Sequence, residues 1–106
     1  MTVFKVETYV VRPEKQEEYM ALVGKWIKYT KNKEKCKELK SWKLFTQTIV
    51  GTSGLYMEMG EFESLADYEK MMNRIMQDKE LQAIFSSFYD CVVPGTDTIN
   101  IWNAVH

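Results

Sequence analysis

The apolar periodicity of this chain switches twice from the alternation of a strand to the three-and-four spacing of a helix, and a hairpin separates the two switches. Few folds accommodate that order. From Thr2 to Val11 the side chains alternate, with Phe4, Val6, Thr8 and Val10 on one face and Val3, Lys5, Glu7 and Tyr9 on the other. The first set reads as a core face and the second as a mixed one. Pro13 then opens a helix where its missing N–H costs nothing, and Glu14, Glu17 and Glu18 suit the positive end of the dipole. Tyr19, Leu22, Val23, Trp26, Ile27 and Thr30 form one apolar stripe along it, and after Thr30 the pattern dissolves into lysines.

Ser41 to Val50 and Leu55 to Phe62 are rich in β-branched and aromatic residues, and Gly51-Thr52-Ser53-Gly54 between them supplies the positive φ angles of a hairpin turn. Ser64-Leu65-Ala66-Asp67 is similar to a capping box, with Asp in place of Glu, and starts a second helix whose face carries Leu65, Tyr68, Met72, Ile75 and Met76. Asp78 caps again, ahead of Leu81, Ile84, Phe85 and Phe88, and Pro94-Gly95 makes a turn. The last strand spans Thr96 to Val105, with Ile99, Ile101 and Val105 on one face and Thr98, Asn100, Trp102 and Ala104 on the other.

This order predicts an α+β, ferredoxin-like βαββαβ domain over residues 1–106. Two right-handed crossovers interleave into a four-stranded antiparallel sheet, ordered 4-1-3-2, with the helices on one face. The other face is expected to show Val3, Tyr9, Trp102 and the hairpin around Phe45 and Tyr56 or Met57. Such a patch exceeds what a monomer leaves exposed, and a second copy of the same sheet is the expected cover.

Composition fits one domain: 106 residues, 45% hydrophobic and 27% charged. No apolar run approaches the roughly 18 residues of a spanning helix, and the opening residues lack the features of a secretory signal, so no membrane is expected and the expected compartment is the cytoplasm. Cys36 and Cys91 have neither metal-ligand spacing nor a neighbouring His, so free thiols and no metal site are expected. Residues 25–43 hold eight lysines against Glu34 and Glu38. With no aromatic platform interleaved between Thr30 and Lys40 and almost no Arg, they read as a solvated connection, and no nucleic-acid partner is expected.

The chain resembles the dimeric α/β-barrel superfamily, and within it most the NIPSNAP-type and stress-responsive barrel domains. The resemblance is carried by Glu7-Thr8-Tyr9-Val10-Val11-Arg12-Pro13-Glu14-Lys15, by Glu58-Met59-Gly60-Glu61-Phe62-Glu63-Ser64 and by Asp78-Lys79-Glu80-Leu81. It implies a homodimer whose sheets face each other, with any pocket inside the barrel or between sheet and helices. Function varies widely on this fold. A haem-degrading member would need a helix-borne His and an Asn on the first strand. The single His here is His106, and the strand offers Glu7 or Lys5.

Glu7, Tyr9, Tyr56, Glu58, Asn100 and Trp102 are the candidate pocket or interface residues, on faces that alternation allows to coincide. Three functions follow. The first is a homodimer that binds a small hydrophobic or aromatic molecule, with no cofactor called for. The second is a cofactor-independent monooxygenase or isomerase, with Glu7 or Glu58 as base and Tyr9, Asn100 or Tyr56 polarising the substrate. The third is a structural or regulatory dimer without a pocket, its aromatics simply packed at the interface.

Overall fold

The structure, a computed structural model, describes residues 1–47 and 53–106. Strand β1 (Val3–Val10) leads through a 3₁₀ turn at Pro13–Lys15 into helix α1 (Gln16–Thr30). Strands β2 (Ser41–Thr46) and β3 (Leu55–Phe62) follow, then α2 (Leu65–Ile75), α3 (Lys79–Cys91) and β4 (Thr98–Asn103). The sheet is antiparallel in the order β2-β3-β1-β4, the ferredoxin-like arrangement read from the sequence. The expected continuation of β2 to Val50, and Gly51 and Thr52 of the turn, lie outside the described residues. Among the described residues no helix is long and apolar enough to cross a membrane.

Local chemistry sets the element ends. Ser64 Oγ accepts from the Asp67 backbone N–H, and Asp78 accepts from that of Glu80, so both later helices start on side-chain caps. Gly54 has φ +79°, and a Cβ there would stand 2.7 Å from the Val11 carbonyl oxygen, so glycine alone fits the point where the hairpin closes on the end of β1. The Val11 N–H donates to the Gly54 carbonyl across that junction.

The faces of β1 differ from expectation. Val3, Glu7 and Tyr9 are buried against the helices, whereas Phe4, Val6, Thr8 and Val10 lie on the opposite face. Register confirms the division, because directly paired residues share a face: Glu7 stands opposite Glu58 and Ile99, and Phe4 opposite Glu61 and Trp102. The outer face therefore shows Phe4, Val6, Val10, Met57, Met59, Phe45 and Trp102, not Val3, Tyr9 or Tyr56. The physical reason is a reversal of roles. The more apolar face is the one left without helices, and the helix-facing side carries charged groups in its middle.

That helix-facing side holds two hydrophobic clusters. One gathers Val3, Tyr29, Cys36, Phe62, Met71, Ile75 and Leu81, and the other gathers Tyr9, Val11, Tyr19, Leu22, Cys91 and Val92. Along β1 the inward positions run from Val3 in one cluster through Lys5 and Glu7 to Tyr9 in the other. Both thiols are unpaired and buried, and burial pushes that of Cys36 up to about 11.

The lysine-rich connection is also more than a solvated loop. Cys36 is buried and Leu39 packs on the first cluster. Arg74 donates to both carboxylate oxygens of Glu38, at 2.7 and 2.6 Å, and to the Lys35 carbonyl at 3.0 Å. Lys35 Nζ sits 2.5 Å from Asp78, which also accepts from the Tyr29 hydroxyl at 2.8 Å. Residues 31–40 are thus fastened to the junction of α2 and α3, a role that counting lysines does not reveal.

Candidate functional site

Between the two clusters the sheet and helices form a partly open cavity of about 530 Å³, within the range of small-molecule sites. Its floor is the inner face of β1 and β3, with Lys5, Glu7, Tyr9, Glu58 and Phe62. Tyr19 and Trp26 of α1, Tyr68 and Met72 of α2, and Phe85 and Phe88 of α3 form its roof, and Trp42 of β2 and Leu39 of the connection close one side. Gly60 lies beneath them, where a Cβ would make ordinary contacts with Leu39 Cδ1 at 3.4 Å and Trp42 Cδ1 at 3.9 Å.

Glu58 is the best-held group in the cavity wall. Its Oε2 accepts from the Tyr9 hydroxyl at 2.6 Å and its Oε1 from the Trp42 indole N–H at 3.2 Å. Tyr9 in turn shares a 2.6 Å hydrogen bond with the Tyr19 hydroxyl, so a chain of polar atoms runs from α1 to β2 through an aromatic setting. Burial raises the Glu58 carboxyl above its usual range, against the lowering effect of the Tyr9 hydrogen bond and of Lys5. Burial likewise raises the phenols of Tyr9 and Tyr19 far above ordinary tyrosine.

A second charged group lies beside it. Lys5 Nζ is 2.8 Å from Glu7 Oε1. Burial works against the Lys5 ammonium, and the Glu7 carboxylate overrides that effect, leaving its pKa raised. Asp97, just before β4, is raised to about 7, first by burial and then by sharing a hydrogen bond with Glu7. Its Oδ1 is covered and has no hydrogen-bond partner among the described residues. The indole N–H of Trp26 is also covered and without a partner.

Of the six sequence candidates, Glu7, Tyr9 and Glu58 meet in this cavity. Tyr56 faces the same way but packs behind Tyr19, at 4.6 Å between ring centroids, and its hydroxyl donates to Gln16 at 2.8 Å. Asn100 and Trp102 do not join them. Asn100 pairs with Val6 and Trp102 with Phe4, which places both on the outer face. Lys5, Tyr19, Trp26, Trp42 and Asp97 were not among the candidates. The signal for Lys5 was present as a charge between Val3 and Tyr9 on one strand face. Trp42 carried no such signal, because its indole reaches Glu58 only through the register that sets it opposite Gly60.

The whole chain superposes on solved proteins. A NIPSNAP family protein from Agrobacterium tumefaciens matches with a TM-score of 0.74 at 17% identity, over 97% of this chain and 92% of that one. The sheet order, the helices on one face and the full-length overlap decide the architecture.

The fold is ferredoxin-like, a four-stranded antiparallel sheet with its helices on one face.

Two further solved structures share this fold. SnoaB, a cofactor-independent oxygenase from Streptomyces nogalater, matches with a TM-score of 0.75 at 10% identity, over 99% of this chain and 94% of that one. An antibiotic biosynthesis monooxygenase-like protein from Caulobacter crescentus gives 0.78 at 16%, over 99% and 91%. No protein-family model matches the sequence, and no curated protein does. At these identities the likeness speaks for the fold and not for a reaction.

Proposed function

We propose that this chain is a dimeric α/β barrel that binds a small, flat, hydrophobic molecule in the cavity between sheet and helices, as a homodimer joined through the outer sheet faces. The observation that carries the binding reading is the cavity itself: about 530 Å³, walled by aromatic rings, with one carboxylate fixed in its wall by two donors. Convergent polar groups in an apolar pocket are the usual form of a ligand site. The dimer is supported by the outer face, where Trp102 is 61% exposed and Phe45 42%.

Titration with the neutral fluorophore N-phenyl-1-naphthylamine tests the binding reading. Saturable enhancement is the expected result. Ser86 is exposed on α3 and reaches the cavity, so Ser86→Trp fills the space without replacing a core residue and abolishes the enhancement while leaving the melting curve unchanged. Enhancement that survives Ser86→Trp means the probe binds elsewhere and ends the proposal.

A proton-transfer function, of the monooxygenase or isomerase type, is the second reading, and it is favoured by the raised carboxyl of Glu58 in contact with Tyr9. Asn100 and Tyr56 have no part in it, since one lies on the other face and the other is engaged by Gln16. Exchange of the acidic protons of 2-tetralone in deuterium oxide, followed by NMR, is the measurement. Acceleration lost in Glu58→Gln supports the reading, and exchange at the uncatalysed rate removes it.

A further inference from the structure

The charged side chains that line the cavity are Lys5, Glu7 and Glu58. Lys5 and Glu7 neutralise each other at 2.8 Å. Glu58 is left over. Both its oxygens accept hydrogen bonds, from an O–H and an N–H, which is the arrangement of an ionised carboxylate, yet both donors are neutral. Among the described residues no Lys, Arg or His forms an ion pair with Glu58. The five residues outside that set carry no charge. The helices forming the roof add tyrosines, methionines and phenylalanines to the wall, and no cation.

Lys5 also acts on Glu58, but one lysine stands against two carboxylates in the cavity, and the excess negative charge is costly in apolar surroundings unless something brings the opposite charge. The rings around it suit a positive charge. Tyr9 lies 4.8 Å from Phe88 and 5.8 Å from Tyr19 between centroids, and Trp26 and Trp42 stand edge to face at 6.4 Å. Ring faces attract organic cations, most of all when solvent is excluded. From this geometry we propose that the ligand of the cavity is an organic cation on a flat apolar frame, an amine or quaternary ammonium, with Glu58 as its counter-ion. The proposal rests on the binding reading above and adds the charge of the ligand.

Calorimetric titration of three probes of one shape separates the two statements: (1-naphthylmethyl)trimethylammonium, 1-naphthylmethanol and 1-naphthoate. The cation is expected to bind about tenfold tighter than the alcohol, with naphthoate weakest. Glu58→Gln brings the cation to the level of the alcohol. Should that variant fail to fold, the pH dependence of the native chain carries the test. Affinity for the cation falls as acidification protonates Glu58, whose carboxyl burial has raised above its usual range, while affinity for the alcohol stays constant.

The titratable groups that line the cavity with Glu58 are Lys5, Glu7 and Tyr9 of β1, Tyr19 of α1, Tyr68 of α2 and Tyr89 of α3, with Asp97 beyond Glu7. Asp97, raised to about 7, also takes up a proton on acidification, so Asp97→Asn must retain the fall, and its loss there overturns the assignment to Glu58. An alcohol that binds as tightly as the cation overturns the charge inference and leaves the pocket standing. Failure of all three probes overturns both.

Discussion

At the scale of single residues, the inner face of β1 sets the chemistry. Lys5 and Glu7 sit where a ferredoxin-like sheet would ordinarily bury aliphatic side chains, and burial together with the neighbouring Glu7 raises the Asp97 carboxyl. The sign of that shift has a measurable effect on stability. The Asp97 carboxyl is raised from 3.8 to about 7, so the folded chain holds this proton more tightly than the unfolded one. Stability from it is present at low pH, declines as pH rises from about 4, and is gone above about 7. Asp97→Asn keeps the donor without the charge. Since Asp97 is only partly buried, the gain is discounted to about 1 kcal/mol, which raises the melting temperature at about pH 8 by roughly 4–8 °C and at about pH 4 by almost nothing. Equal shifts at both pH values would show that the Asp97 carboxyl is not raised in the folded chain.

At the scale of elements, the order of strands and helices was legible because it rests on period and punctuation. Pro13, the Ser64 and Asp78 caps and the Pro94-Gly95 turn each act locally. The facing of β1 was not legible, because polarity alone assigns Phe4, Val6 and Val10 to the core. Here those side chains occupy the outer face, and the inner one keeps two charges over the cavity. Helix stripes shifted for a similar reason. Ile27, Leu65 and Met76 are exposed, while Tyr29 and Met71 are buried, because the connection of residues 31–40 packs onto Tyr29 and the α2–α3 junction. Glu7, Tyr9 and Glu58 could be found from sequence as polar groups on strands. Trp42 and the fastening of the connection depend on partners distant in the chain. Arg74→Ala releases Glu38 and the Lys35 carbonyl, so amide hydrogen exchange from Cys36 to Lys40 is expected to quicken while exchange in β1 and β3 stays unchanged. Unchanged exchange in residues 36–40 would mean that Cys36 and Leu39 alone hold the connection.

For the whole molecule, the two faces of one sheet divide the work. The inner face and helices form the cavity, and the outer face, with Phe4, Val6, Met57 and Trp102, is the proposed dimer contact. Trp102→Asp places an unpaired charge in that contact and is expected to halve the mass seen by light scattering, because such burial costs several kcal/mol, on the order of 3–5 for a broken buried pair. A mass unaltered by the substitution would rule out the outer face as the interface.

The three tryptophans report on both faces in one spectrum. Trp26 and Trp42 line the cavity, and Trp102 lies outside it. The most direct measurement is a ¹⁵N–¹H spectrum of the indole groups, assigned by single Trp→Phe variants, during titration with N-phenyl-1-naphthylamine and then with the naphthyl cation. A ligand between sheet and helices shifts the Trp42 and Trp26 signals and leaves Trp102 in place. Movement of Trp102 alone, or of none of the three, would contradict the account.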